Sequence, residues 1–166
     1  MNYDAATAEP IQQMELTADA AFVLALCDDN EDARNLIRDT WAFVEVYDDA
    51  IDGQKNETDA TIHRAIEWAL FDLHRNAFYR AHPELEAALR LMVINWRCAN
   101  ELEASGGRED LMHSYVLRCS PYDFFVAVVL AAAGPDAALR AAERLRVHTS
   151  SVDSFDAYLA EHGKGE

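Results

Sequence analysis

Residues 45 to 52, Glu-Val-Tyr-Asp-Asp-Ala-Ile-Asp, gather the carboxylates Glu45, Asp48, Asp49 and Asp52 with no basic residue before Lys55. At neutral pH such a group repels itself unless water, an arginine or a metal ion offsets the charge. Helical spacing places Asp48, Asp49 and Asp52 at i, i+1 and i+4, so their oxygens converge on one spot. That is a hard-ligand set suited to Mg²⁺ carrying substrate phosphates. Location sharpens the reading. The acids fall in the last two turns of a helix expected over 31–52, where the dipole disfavours each carboxylate by about 0.3–1 kcal/mol. From Asp39 to Gln54 there are five acids and neither Lys nor Arg, while Arg34 and Arg38 sit earlier. A bound cation would relieve that cost; a solvated acidic face is the plain alternative.

A second acidic group, Cys-Asp-Asp-Asn-Glu-Asp at 27–32, reads differently. It opens a helix, where acids and Asn satisfy free N–H groups and complement the dipole. The elements that must position these residues are helices throughout. The 3.6-residue period and its punctuation predict helices over 18–27, 31–52, 58–81, 83–105, 108–119, 121–133, 136–148 and 152–162. Thr17, Asn30, Thr58 and Ser120 read as caps, and Pro83, Pro121 and Pro135 as first-turn residues. On the second helix Leu36, Ile37, Thr40, Val44, Tyr47 and Ile51 share one face and the acids the other. Short loops such as 53–57 and 105–107 make successive helices antiparallel neighbours in an all-α, single-domain bundle over 16–166, after a loosely ordered stretch over 1–15.

Thirty acidic against fourteen basic residues give the 166-residue chain a formal charge of −16, which repels nucleic acid and anionic membranes but favours a basic protein partner. Hydrophobic residues make up 51%, a folding composition. Cys27, Cys98 and Cys119 form no CxxC pair, so neither a disulfide framework nor a thiolate zinc site is indicated, and a reducing cytoplasm fits. The start shows no signal-peptide pattern, and the apolar run 124–133 is too short to span a bilayer. The six histidines show no metal-ligand spacing with the acids. No nucleophile elbow, P-loop or dinucleotide fingerprint occurs.

Asp48-Asp49-Ala50-Ile51-Asp52, ending a hydrophobic helix, resembles the aspartate-rich DDxxD motif of the class I terpenoid (isoprenoid) synthases. The stretch 95–120 is similar to the part of bacterial terpene cyclases that precedes a Tyr-x-x-x-Arg segment, which Tyr115 and Arg118 approximate one spacing short. The resemblance implies an isoprenoid-synthase-like bundle in which Asp48, Asp49 and Asp52 hold Mg²⁺ against a prenyl diphosphate and Arg118, with Tyr115, senses it. A late metal-binding helix, with ligands at i, i+4 and i+8, maps onto Asp153 and Glu161, Ala157 standing in the middle position. Phe43, Trp68, Phe71, Trp96, Phe124 and Phe125 would wall a dry pocket whose ring faces stabilise a cation. The resemblance runs from about residue 36 to 161, in a chain much shorter than the family's enzymes. For each aromatic the ordinary reading is packed core. For Arg118 it is a salt bridge to Glu109, Asp110 or another acid.

Two other functions fit the same residues. A helical Mg²⁺-dependent nucleotide pyrophosphohydrolase uses two short carboxylate pairs, for which Glu45-x-x-Asp48 would serve with Asp28-x-x-Glu31 or Asp29-x-x-Asp32. An acidic all-helical interaction protein would bind a basic partner through charge alone.

Overall fold

The computed structural model describes residues 18–51, 53, 58–152 and 154–163. Among these the chain is helical, with no strand. Helix α1 is Ala18–Ala25 and α2 Glu31–Ile51. Helix α3, Asp59–Glu67, runs into a π-helical turn at Trp68–Asp72 and then into α4, Leu73–Arg75. Helices α5 (Ala77–Ala81), α6 (Glu84–Ser105), α7 (Arg108–Leu117), α8 (Ser120–Ala133), α9 (Pro135–Val152) and α10 (Phe155–His162) follow.

The core forms around α8, Ser-Pro-Tyr-Asp-Phe-Phe-Val-Ala-Val-Val-Leu-Ala-Ala-Ala, a sequence apolar almost all round. Such a helix has to be enclosed. It packs on α2, α6 and α9, burying Phe124, Phe125, Val128 and Val129 among Leu36, Ile37, Trp96 and Leu145. The stretch Arg108–Ala133 is long and apolar enough to cross a membrane by length and composition. In the fold it is two helices, α7 and α8, packed against α6 and bent at Arg118–Cys119.

Helix α2 supplies the long strut, about 30 Å at ~1.5 Å per residue. Asn30 caps it, its Oδ1 accepting from the Ala33 N–H at 3.0 Å, so the early acids sit at a capped N-terminus as expected. Leu36, Ile37, Thr40 and Val44 are buried and Tyr47 packs on the core, but Ile51, placed on the same face, is 53% exposed. The apolar stripe therefore ends one turn before the helix does.

Three buried hydroxyls are satisfied by backbone carbonyls: Thr40 Oγ1 donates to Leu36 O (2.7 Å), Ser120 Oγ to Met92 O (3.2 Å), and Ser114 Oγ lies 2.9 Å from Ala99 O. Buried polar groups need such partners. Ser120 is thus a tie between α8 and α6, not the cap its position predicts.

The largest departure is the helix expected over 58–81. Thr58 caps it as predicted, but the π turn interrupts it, and Asn76 breaks it with a ψ of 121°. Asn76 caps α5 by accepting from the Tyr79 N–H at 2.9 Å, and donates to Asp32 O at 2.8 Å. Helix α6 closes as its Gly punctuation implies, Gly106 adopting φ 71° at its C-terminus, a left-handed conformation that glycine takes without steric cost.

Candidate functional site

Helix α7 stops at Leu117, and the turn into Ser120 and Pro121 leaves Arg118 at its C-cap. A cation is favoured there by the helix dipole. The same turn aims the guanidinium at the C-terminal end of α2, so Arg118 and Asp48, 70 residues apart in sequence, meet with Nη1 3.3 Å from Oδ1. Both line a cleft of about 190 Å³ with Trp41, Val44, Glu45, Trp96, Pro121 and Tyr122. The walls are aromatic: Trp41 stacks against Tyr122 and Phe125 at 5.6 Å each. The Arg118 guanidinium lies 6.0 Å from the Trp96 ring centre.

Most of the Arg118 fork points away from the cleft. Nε and Nη2 both donate to Glu103 Oε2, at 2.9 and 2.6 Å, and Nη2 also reaches Asn100 Oδ1 at 3.2 Å. That same Glu103 oxygen accepts the Tyr158 hydroxyl at 2.5 Å, while its other oxygen is 3.2 Å from His162 Nδ1. Ser114 Oγ, buried behind them, sits 2.8 Å from the Tyr158 hydroxyl. Burial pulls the Glu103 pKa up, but the bonds from Tyr158 and Arg118 outweigh it and hold the carboxyl below its usual range. Tyr158 moves the other way, pushed up by burial and by accompanying the Glu103 carboxylate, so it keeps the proton it donates. Burial alone would lower the Arg118 pKa; Glu103 and Tyr158 more than reverse that. The side chains of Arg118 and Glu103 are 19% and 18% exposed, so the pair is a half-enclosed charge network, less screened than a surface bridge.

At the cleft's mouth Trp41 Nε1 donates to Glu45 Oε1 at 2.6 Å. Trp96 Nε1, by contrast, is a buried nitrogen with no hydrogen-bond partner among the described residues. Leaving such a donor unmet costs about 1–3 kcal/mol.

The predicted site residues divide sharply. Asp48, Arg118 and Trp96 line the cleft, whereas Asp49, half-buried on α2, does not. Asp52 and Asp153 lie outside the described residues. Glu161 is on α10, its carboxylate exposed and 3.8 Å from His162 Nε2. Tyr115 packs its ring at a tilt against Phe155 and Tyr158, 5.5 Å between centres in each case, and so braces α10. Phe43 and Trp68 pack against each other in the core, tilted and 5.1 Å between ring centres, and Phe124 and Phe125 are buried there. Phe71 departs most: the π turn leaves it 54% exposed.

Arg118 does pair with acids, but with Glu103 and Asp48; Asp110 accepts instead from Ser105. Glu31 binds Arg34 and Arg38. It is seventeen residues from Asp48 on one straight helix, about 25 Å at ~1.5 Å per residue, so the two carboxylate pairs of the hydrolase reading do not meet.

Sequence reasoning did not find Trp41, Tyr122, Glu103 and Tyr158. Glu103 had a usable signal. It is an acid in the last turn of α6 with no basic neighbour on its own helix after Arg97, the anomaly that marked Asp48. Comparison with known proteins adds no relative: no family model, no curated protein and no solved structure matches the chain.

Proposed function

We propose that the cleft between α2 and the α7–α8 turn binds a small diphosphate together with Mg²⁺, in the manner of a shortened terpenoid-synthase-like protein. The observation that carries the reading is the meeting of Asp48 and Arg118 in one aromatic-walled cleft. Glu45 and Asp48, one helical turn apart, both line it. Two carboxylates suffice for Mg²⁺ that arrives with phosphates, since the ion keeps waters and takes its other ligands from the substrate. No group of three or more His, Cys, Asp or Glu residues is assembled to hold a metal among the described residues. The reading is of an ion carried in by its anion, which brings the ligands that the two carboxylates do not supply.

Bound there, Mg²⁺ would supply the charge that lets an anion approach a cleft whose own side chains are net acidic. Arg118 contributes the Nη1 arm now resting on Asp48, a charge-assisted donor to a phosphate oxygen. Trp96 gives the cleft a ring face, its unmet N–H being buried. Trp41, Tyr122 and Pro121 exclude water from whatever the diphosphate carries, and size limits that group. About 190 Å³ is little more than a benzene-sized cavity of ~150 Å³ and below the ~300 Å³ where drug-sized pockets begin. Inorganic diphosphate or a short prenyl diphosphate fits this space; a long polyprenyl chain does not.

Isothermal titration with inorganic diphosphate tests the reading. Binding is expected in Mg²⁺, absent in EDTA, and lost in Asp48→Asn. Arg118→Lys, which keeps the charge but loses the planar fork, should weaken it by about 1.5–3 kcal/mol. A wild-type protein that binds no diphosphate in Mg²⁺, or an Asp48→Asn variant that binds it better in Mg²⁺, sinks the proposal.

One observation favours a second reading. Ile62, Ile66 and Leu70, four residues apart, are exposed together with Phe71, and the chain carries −16. Apolar side chains on an acidic surface suit a basic amphipathic partner protein.

A further inference from the structure

We infer that Glu103 is a positioning residue for Arg118, and that α10, through Tyr158, forms part of the cleft's supporting wall. A free arginine samples many rotamers, and binding through it means fixing them. Here the fixing is already done. Nε and Nη2 converge on one Glu103 oxygen and Asn100 takes a further Nη2 contact. Those contacts set the guanidinium plane and leave Nη1 as the arm facing Asp48 in the cleft. Glu103 cannot swing away, because the same oxygen accepts the Tyr158 hydroxyl and the other faces His162. Tyr158 is itself buried and tied to Ser114.

Residues from α6, α7 and α10 thus hold one side chain, and the two from α10 come from the far end of the chain. Packing alone would not need this. Tyr158 could fill its space as phenylalanine, since its ring contacts with Tyr115 and His162 do not use the hydroxyl. A hydroxyl bonded to a carboxylate that is bonded to an arginine fixes orientation, as the outer partners of a binding site do. Glu103 also balances the Arg118 charge from behind, which keeps the cleft acidic and ties anion binding to a cation.

The inference rests on the diphosphate reading only for its binding arm. The first arm needs no ligand: the ¹⁵Nε–¹Hε NMR correlation of Arg118, assigned by its disappearance in Arg118→Lys. The wild-type signal should be sharp and slow to exchange with water at neutral pH. Tyr158→Phe and Glu103→Gln should each broaden it or speed its exchange, the second more. The second arm is the Mg²⁺-dependent affinity for inorganic diphosphate, expected to fall about tenfold in Tyr158→Phe, one hydrogen bond to a charged group removed. If Glu103→Gln does not fold, Tyr158→Phe decides alone. An Arg118 signal unchanged in Tyr158→Phe overturns the inference, as does an unchanged affinity. Failure of the wild type to bind diphosphate removes the binding arm and the proposed function, and the NMR arm still decides whether Glu103 and Tyr158 hold Arg118.

Discussion

Asp39 and Glu103 are both partly enclosed acids, yet they behave oppositely. Burial pushes the Asp39 pKa up and the nearby Asp72 carboxylate adds to it, while Arg64 and Arg38 only partly compensate. Arg64 is committed to Asp72 at 2.5 Å. A carboxyl whose folded-state pKa is raised opposes folding when ionised, and the cost disappears as pH falls through that raised value. Asp39→Asn should therefore raise the melting temperature at pH 7, with the advantage shrinking to nothing as pH approaches the ordinary aspartate value of 3.8. Equal melting temperatures at pH 7 would show that Arg64 already neutralises Asp39. The same contrast explains which site residues were legible. Asp48 stands out in the sequence because acids crowd a helix C-terminus with no basic residue nearby, and Arg118 only through the resemblance of its Tyr-x-x-x-Arg-like segment. Asp49 and Asp52 looked equivalent to Asp48 in sequence. Only the packing of α2 on α8 decides that Asp48 meets the cleft and Asp49 does not, and spacing alone does not set that rotation.

At the scale of elements, seven of the expected helices reappear with ends shifted by a few residues, because apolar period and caps are local signals. The eighth, predicted as one helix over 58–81, is broken at Asn76. Its side chain is worth more as a cap and a tie to α2 than its backbone is as helix. Asn76→Ala should thus destabilise by about 1–2 kcal/mol, the scale of a lost cap, although alanine is the better helix former. Chemical denaturation measures it; a stabilised Asn76→Ala protein would mean that the helix runs through. The π turn at Trp68–Asp72 has no comparable sequence signal. It follows from docking Trp68 on Phe43 while Leu73 stays buried, a tertiary demand. The role of α10 was equally hidden, since Tyr158 and His162 reach Glu103 across 55 and 59 positions of sequence.

For the whole molecule, thirty acids against fourteen bases make self-repulsion the dominant long-range field. Raising NaCl from 10 to 150 mM shortens the screening length from about 30 to about 8 Å. Repulsion summed over the surface weakens more than the enclosed Arg118–Glu103 pair, so the melting temperature should rise with salt; a fall would show that ion pairs outweigh the net charge. All-helical architecture was readable at this scale, because no segment alternates with the two-residue period of a strand. The cleft was not, since it lies between three helices that no single stretch describes. Its walls have an optical consequence. Two of the three tryptophans, Trp41 and Trp96, line the cleft, and Trp68 does not. Trp41 is hydrogen-bonded to Glu45, so anything that takes up that carboxylate changes the polarity felt by the indole's excited state. Emission from Trp41 and Trp96 reports occupancy of the cleft without a label. Trp68, sealed against Phe43, responds only when the core opens, and replacing it with phenylalanine leaves a protein whose fluorescence reads the cleft alone.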